Sequence, residues 1–297
     1  MFNEYYFLIP FIFILGAAIG SFLNVLIDRW LNDQPITGRS CCDHCKKQLK
    51  SLDLIPIFSF LFLSGRSRCC NKKLSWQYPL VEMVTGVLFV LVVIASPALR
   101  DVAISLPIGQ SILTGLLPFD YATSSVVSLR VNLLAMILML ATVSCLIVIF
   151  FADVKYQIIP DQIQILLFLF SIFYFLFSSN WSIQSLIIRL LSGVVVMLPI
   201  LLIYLISRGR GMGFGDVKLA FNMGILLGIK GGLLALYFAF IIGGIFGAYL
   251  LLSKKKKLKS KIAFGPFLVL GTIILLFFNP IIIFWLKQTY GFWALVG

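Results

Sequence analysis

The chain is predicted to be an all-α, polytopic membrane helix bundle with about seven or eight transmembrane helices and one cytoplasmic cysteine-containing loop. Three observations carry that prediction. Hydrophobic residues make up 61% of the 297 positions. Many uninterrupted apolar runs are long enough to cross a hydrocarbon core of ~30 Å. Positive charge gathers in two blocks that flank these runs, as it does at cytoplasmic membrane edges.

The elements follow in order. The first run, 5–27, has no basic segment before it and no small-residue cleavage pattern after it, so it reads as a retained helix and not a signal peptide. A basic loop, 28–79, comes next. Further helices are expected over 80–97, 131–152, 164–179, 184–206, 217–229, 232–252 and 262–286. An external turn is expected at Ser178-Ser179-Asn180-Trp181, and a second reversal at Lys230-Gly231-Gly232. Segment 98–130, with Pro107, Gly109, Gly115 and Pro118, reads as an external loop or surface-lying element. Three regions result: the first helix 1–27, the Cys-rich region 28–79, and a membrane-embedded bundle 80–297.

The net charge of +13 could suggest nucleic acid, but its distribution argues otherwise. Nine Lys and Arg lie between Arg29 and Lys73, and six Lys lie between Lys254 and Lys261. Both blocks abut apolar spans, which suits anionic lipid headgroups. The expected partners are therefore membrane lipids, with no nucleic acid. With the N-terminus outside, every basic cluster falls on the cytoplasmic side.

That topology brings two aspartates to one membrane face. Asp153 ends an apolar run in Phe150-Phe151-Ala152-Asp153-Val154-Lys155. Asp216 opens another in Gly213-Phe214-Gly215-Asp216-Val217-Lys218-Leu219. Ionisable groups at such positions are costly and usually serve function or stand in water. An aspartate at a helix start is most often a cap, which suits Asp216 and Asp161. Asp153 sits at the unfavourable, negative end of a helix dipole, so its plain alternative is a solvated loop residue. If Asp153 and Asp216 meet, they can share a proton and activate water as an aspartic protease pair. Gly213 and Gly215 allow positive φ or close backbone approach, which suits a substrate-binding loop. Lys218 could add local charge there or anchor the interface.

Other chemistries lack residues. His44 is the sole histidine and no serine motif supports a triad; a P-loop and a dinucleotide turn are also missing. Cys42-Asp43-His44-Cys45 is a C-x-x-C half-site, and Cys69-Cys70 follows in the same loop, a spacing that reads as a zinc ribbon or as free, redox-active thiols. The second half is imperfect, because Ser67 stands where a cysteine is needed; Cys41, Cys69 or His44 could substitute. Cys145, inside an apolar run, reads as packing. Arg189 reads as snorkelling to the external surface, Glu82 as a favourable contact with a helix N-terminus, and Asn24 as an interhelical hydrogen bond.

Together these motifs resemble the type IV prepilin peptidase family. The resemblance rests on Gly20-Ser21-Phe22-Leu23-Asn24-Val25, the cysteine loop with Ser75-Trp76-Gln77-Tyr78-Pro79-Leu80-Val81-Glu82, both aspartate motifs, and Phe264-Gly265-Pro266-Phe267. It implies a membrane aspartyl endopeptidase with Asp153 and Asp216 as the catalytic pair. The implied substrates are prepilins or pseudopilins, cut after a glycine at the cytoplasmic side of the bacterial plasma membrane. It further implies N-methylation from S-adenosylmethionine, with Glu82 as an associated residue, and a structural zinc for which Cys42, Cys45 and Cys70 are in register; with Ser67 at the fourth position, either Cys69 replaces the missing thiolate or the zinc site is altered or absent. The non-enzymatic alternatives are a transporter or a pilus-assembly scaffold.

Overall fold

The computed structural model describes residues 7–30, 34–35, 37–42, 44–96, 119–178, 182–209, 211–253 and 263–290. Eight α-helices occupy these residues: α1 Leu8–Trp30, α2 Phe58–Phe62, α3 Gln77–Ala95, α4 Phe119–Tyr156, α5 Asp161–Ser178, α6 Ile183–Ser207, α7 Phe214–Leu252 and α8 Gly265–Tyr290. Among the described residues there is no strand, only two isolated bridges, Cys41–Gln48 and Arg66–Lys73. Among the described residues, five helices are long and apolar enough to cross a membrane, and two shorter apolar helices accompany them. The chain divides into two compact units, 1–151 and 152–297, with the boundary inside α4.

In the first unit, α1 packs on α3. Gly16 and Gly20 are spaced as in the G-x-x-x-G motif, which lets helix backbones approach closely in lipid. A Cβ on Gly16 would stand 2.8 Å from Cα of Gly86, and one on Gly20 would stand 2.8 Å from Cα of Glu82. The expected interhelical bond of Asn24 is present, its Nδ2 donating to the Tyr78 carbonyl at 3.1 Å. Cys145 is buried in α4, in keeping with a packing role.

In the second unit, α7 packs against α5, α6 and α8. It is two helices joined at Gly228, whose φ of 75° and ψ of 178° break the helical path. A Cβ on Gly232 would stand 3.3 Å from Cα of Gly224. Residues eight apart in a straight helix are separated by about 12 Å, so the chain reverses between them. The expected reversal at Lys230-Gly231-Gly232 therefore lies at Gly228. Gly232 is needed for contact instead, since its Cβ would meet Val196 at 2.6 Å. Arg189 reaches this same reversal, with its guanidinium 4.9 Å from the Phe175 ring centre.

Helix α4 begins twelve residues before the expected start at 131. Residues 119–130 follow Pro118 and contain no Gly or Pro, so nothing in them interrupts the helix. That part of the expected 98–130 loop is thus helical, and 98–118 lies outside the described residues. The turn at 179–181 and the lysines of 254–261 also lie outside them. At the other end of α6, Arg208 and Gly209 take left-handed backbone, φ 50° and 72°, and stop the helix.

Candidate active site

Asp153 and Asp216 belong to the same unit and are brought together. Asp153 lies in the last turn of α4, which ends where Gln157 turns left-handed at φ 55°. Asp216 lies in the first turn of α7. They are 5% and 6% exposed, and both border Ile159, which a Cβ on Gly215, beside Asp216, would meet at 3.2 Å and one on Gly265, against Asp153, at 3.1 Å.

Each carboxyl is approached by a glycine. Gly213 caps α7, and its N–H donates to Asp216 Oδ2 at 3.1 Å; Asp216 is thus part of a reciprocal capping turn and is not itself the cap. Gly265, at the start of α8, presents its backbone amide to Asp153. A Cβ there would stand 2.5 Å from Asp153 Oδ2 and 3.1 Å from Ile159. Asp153 Oδ2 is buried and has no hydrogen-bond partner among the described residues.

Of the two uses expected of Gly213 and Gly215, positive φ or close backbone approach, the first is not found. Gly213 has φ −80°, and Gly215 is helical. Gly215 serves close approach, since a Cβ there would meet Ile159 at 3.2 Å. Lys218 is turned to Asp161, Nζ to Oδ1 2.6 Å, and lies 5.3 Å from the Phe214 ring centre.

Two buried amides beneath the pair escape a reading of the sequence. Gln164 Nε2 donates to the Gly215 carbonyl at 2.8 Å, and Asn222 Nδ2 donates to Gln164 Oε1 at 3.2 Å. They tie the start of α5 to the start of α7, and so fix the turn that carries Asp216. Their only signal in the sequence is that each interrupts an apolar run.

The first unit holds a separate cavity of about 530 Å³. Glu82, Asp28, Asn24 and Tyr78 line it together with the cysteine loop. Glu82 is buried, and its Oε2 accepts the Ile57 N–H at 2.7 Å. It therefore holds the loop to α3, a contact more specific than the expected interaction with a helix end. Tyr78 OH donates to Asp28 Oδ2 at 3.0 Å. Asn24 Oδ1 is buried without a partner among the described residues.

In the same unit, Cys42, Cys45, Cys69 and Cys70 bring their sulfurs within 4.8 Å of one another. Burial opposes ionisation of Cys42, but hydrogen bonds from Ser67 and from the Cys45 and His44 amides outweigh it and bring its pKa down to about 6. The Cys45 sulfur beside Cys69 pushes that thiol up to about 12. Such a quartet, able to supply thiolates in a tight cluster, fits zinc. Cys41 and His44, the other candidates, face backbone carbonyls of Arg39 and Lys73.

Comparison with known proteins places both halves of the chain. Residues 14–96 match the bacterial peptidase A24 N-terminal domain, and residues 140–248 match the type IV leader peptidase family. A prepilin leader peptidase/N-methyltransferase of Aeromonas salmonicida is 28% identical over 94% of this chain and 93% of its own length. The protein of the same description from Bacillus subtilis is 29% identical over 96% and 100%. That from Klebsiella pneumoniae is 30% identical over 73% and 84%. No solved structure gives a significant match. With both matched regions in order and relatives spanning nearly the whole chain, this multi-pass membrane protein is a peptidase that belongs to the type IV leader peptidase family.

Proposed function

We propose that Asp153 and Asp216 form the catalytic pair of an aspartyl endopeptidase that removes the leader from prepilins or pseudopilins. The observation that carries this reading is the convergence of two buried carboxyls, at the end of α4 and the start of α7, around Ile159. A pair sharing one proton supplies both halves of the chemistry. The ionised carboxylate takes a proton from water, whose oxygen adds to the scissile carbonyl carbon. The protonated partner gives its proton to the carbonyl oxygen. Collapse of the tetrahedral intermediate breaks the C–N bond, and a proton passes to the leaving nitrogen.

Gly213 puts no side chain on the backbone before Asp216, and Gly215 lets that turn pack on Ile159, an arrangement that suits an extended substrate backbone laid beside the carboxyl. Lys218, on the exposed side of that turn, is held by Asp161. The name shared by the relatives and the pair's position at helix ends support cleavage at the membrane edge. The lysines of 254–261 support the cytoplasmic side as that edge. The bond after the leader's final glycine is the proposed cut.

Methylation of the new N-terminus is assigned to the N-terminal unit, with S-adenosylmethionine as donor. That cofactor supplies the methyl group on a cationic sulfonium. The cavity's volume lies within the ~300–1,000 Å³ of ligand pockets, and its Glu82 and Asp28 carboxyls suit a cation. Asn24 Oδ1 offers an acceptor without a partner among the described residues. Glu82 would hold the donor's positive charge, and Asp28, kept in place by Tyr78, would add to that field.

The test is incubation of the full chain in lipid with a pilin-like precursor, read by mass spectrometry. The expected product is cut after the leader glycine and gains one methyl mass when S-adenosylmethionine is added. Precursors left intact by folded protein, or cut elsewhere, would contradict the reading.

A further inference from the structure

The loop between α1 and α3 carries an apolar face that is uncovered among the described residues. Between Ser51 and Gly65 the only charged residue is Asp53, and its Oδ1 is paired with Arg68 Nε at 2.8 Å. Around it Leu52, Ile55, Phe58, Leu61 and Phe62 are exposed, Phe62 at 85%, although this segment belongs to no helix long enough to span a membrane. Phe60 is the buried residue of α2, with its ring centre 4.9 Å from that of Trp76. Apolar side chains gathered in this way mark a surface that meets lipid or another protein.

Three features point to lipid. The first is continuity. Trp76, itself 74% exposed, and Leu80, Met83 and Val87 form one exposed stripe at helical spacing along α3, and α3 is long and apolar enough to cross a membrane. The contact of Trp76 with Phe60 joins the segment to the end of that stripe. The second is depth. Glu82, whose Oε2 accepts the Ile57 N–H at 2.7 Å, lies about 8 Å along α3 from Gln77, its first residue. The turn it holds therefore lies beside the first turns of α3 and not beyond its end. Ile57 takes left-handed backbone there, φ 62°, a costly conformation for a β-branched residue that persists only where its surroundings fix it. The third is backbone chemistry. The Ser59, Leu61 and Leu63 N–H groups donate to the Ile55, Ile57 and Ser59 carbonyls at 3.1 Å each, so these amides do not need water.

We propose that residues 52–62, together with Trp76, form an interfacial anchor seated in a bilayer that contains anionic phospholipid. Leu52, Phe58, Leu61 and Phe62 enter the boundary between headgroups and acyl chains. The exposed Lys50, Arg66 and Lys73 on either side meet the phosphates. Amphipathic elements of this kind sink ~5–10 Å into that boundary, which agrees with the place of Ile57 beside the first turns of α3. The inner side of the same segment, through Leu54, Ser59, Phe60 and Leu63, walls the cavity that Glu82 lines. Lipid on one side and the cavity on the other hold the loop against the membrane, so the cavity stands at the bilayer surface. This inference rests on neither proposed activity, since lipid contact is read without substrate.

The experiment uses the full chain in bilayer discs of equal phosphatidylglycerol and phosphatidylcholine. The photoreactive residue p-benzoyl-phenylalanine replaces Phe62, Met83 on the exposed stripe of α3, or Gln48 in the first cysteine turn, one at a time. All three side chains are exposed, so each variant should keep the parental thermal midpoint. Irradiation joins the ketone to nearby C–H bonds, and intact mass reads the protein–lipid adducts. The Phe62 variant should form them within about twofold of the Met83 variant and about tenfold or more above the Gln48 variant, as an element sunk among acyl chains does. Its adducts should favour phosphatidylglycerol about twofold or more, because nearby Lys and Arg attract anionic lipid. A Phe62 variant without lipid adducts, beside a reactive Met83 variant, would overturn the inference. So would equal yields at Phe62 and Gln48. An adduct at Phe62 with an added pilin-like precursor in place of lipid would also overturn it, by making the face a protein dock. Adducts in the bulk lipid ratio would overturn the role given to the basic residues.

Discussion

Gly265 lies so close to Asp153 that a Cβ on it would stand 2.5 Å from the carboxylate Oδ2. Helix α8 thus contributes to the site by the side chain it lacks. Gly265→Ala should push the Asp153 carboxyl out of line with Asp216. A displacement of about 1 Å can cost about a hundredfold in rate, so leader cleavage should fall by that order. Binding of an uncleavable precursor should be retained. Parental turnover in this variant would show that the close approach does not position Asp153.

Gln164 links the Gly215 carbonyl to Asn222 in a buried chain of amides. Gln164→Leu leaves the Gly215 carbonyl without its side-chain partner, while Asn222 keeps only its bond to the residue 164 backbone carbonyl at 3.2 Å; a buried group left unsatisfied costs roughly 1–3 kcal/mol. The expected result is a lowered thermal midpoint in detergent together with slower cleavage. Asn222→Leu should act in the same direction, and the double change should cost less than the sum, as members of one network do.

The Lys218–Asp161 pair is of another kind. Both side chains are substantially exposed, at 37% and 64%, and such pairs contribute ~0–1 kcal/mol. Lys218→Met should leave the thermal midpoint nearly unchanged and kcat within a few-fold of the parent, with any effect falling on KM for the precursor. A kcat loss as large as that of an aspartate variant would place Lys218 in the chemistry itself.

Glu82→Gln retains an acceptor for the Ile57 amide and removes the charge from the cavity wall. Methyl transfer should fall by at least about tenfold while leader cleavage proceeds, because one charge–charge contact to a bound cation is worth more than 1.4 kcal/mol when buried. Titration with S-adenosylmethionine by calorimetry should show the loss as weaker binding. Unchanged affinity would move the donor site elsewhere.

Much of this architecture was legible in the sequence because hydrophobic runs and the charges at their ends are local signals. Asp153 and Asp216 stood out as carboxylates at the edges of apolar spans, and the cysteines stood out by spacing. The reversal was misplaced by two residues for a physical reason. Gly228, Gly231 and Gly232 are equal candidates for a turn on composition alone. Only packing separates Gly228, which needs its φ of 75°, from Gly232, which needs room for Val196. Gln164 and Asn222 were silent because an amide in an apolar run resembles any interhelical bond, and the carbonyl that Gln164 serves lies 51 positions away. The helical start of α4 was missed because residues 119–130 are too polar to read as part of a span.

The central claim is that Asp153 and Asp216 act as one catalytic pair, and single-turnover leader cleavage in lipid tests it most directly. Parent, Asp153→Asn and Asp216→Asn are compared with one precursor, with cleavage followed by mass spectrometry and precursor binding measured alongside. Each variant should bind the precursor and lose roughly 10³-fold or more in cleavage rate, on the scale of a missing general acid or base, and the double variant should be no worse than either single one. A folded variant of either aspartate that cleaves at a rate near the parent's would contradict the account.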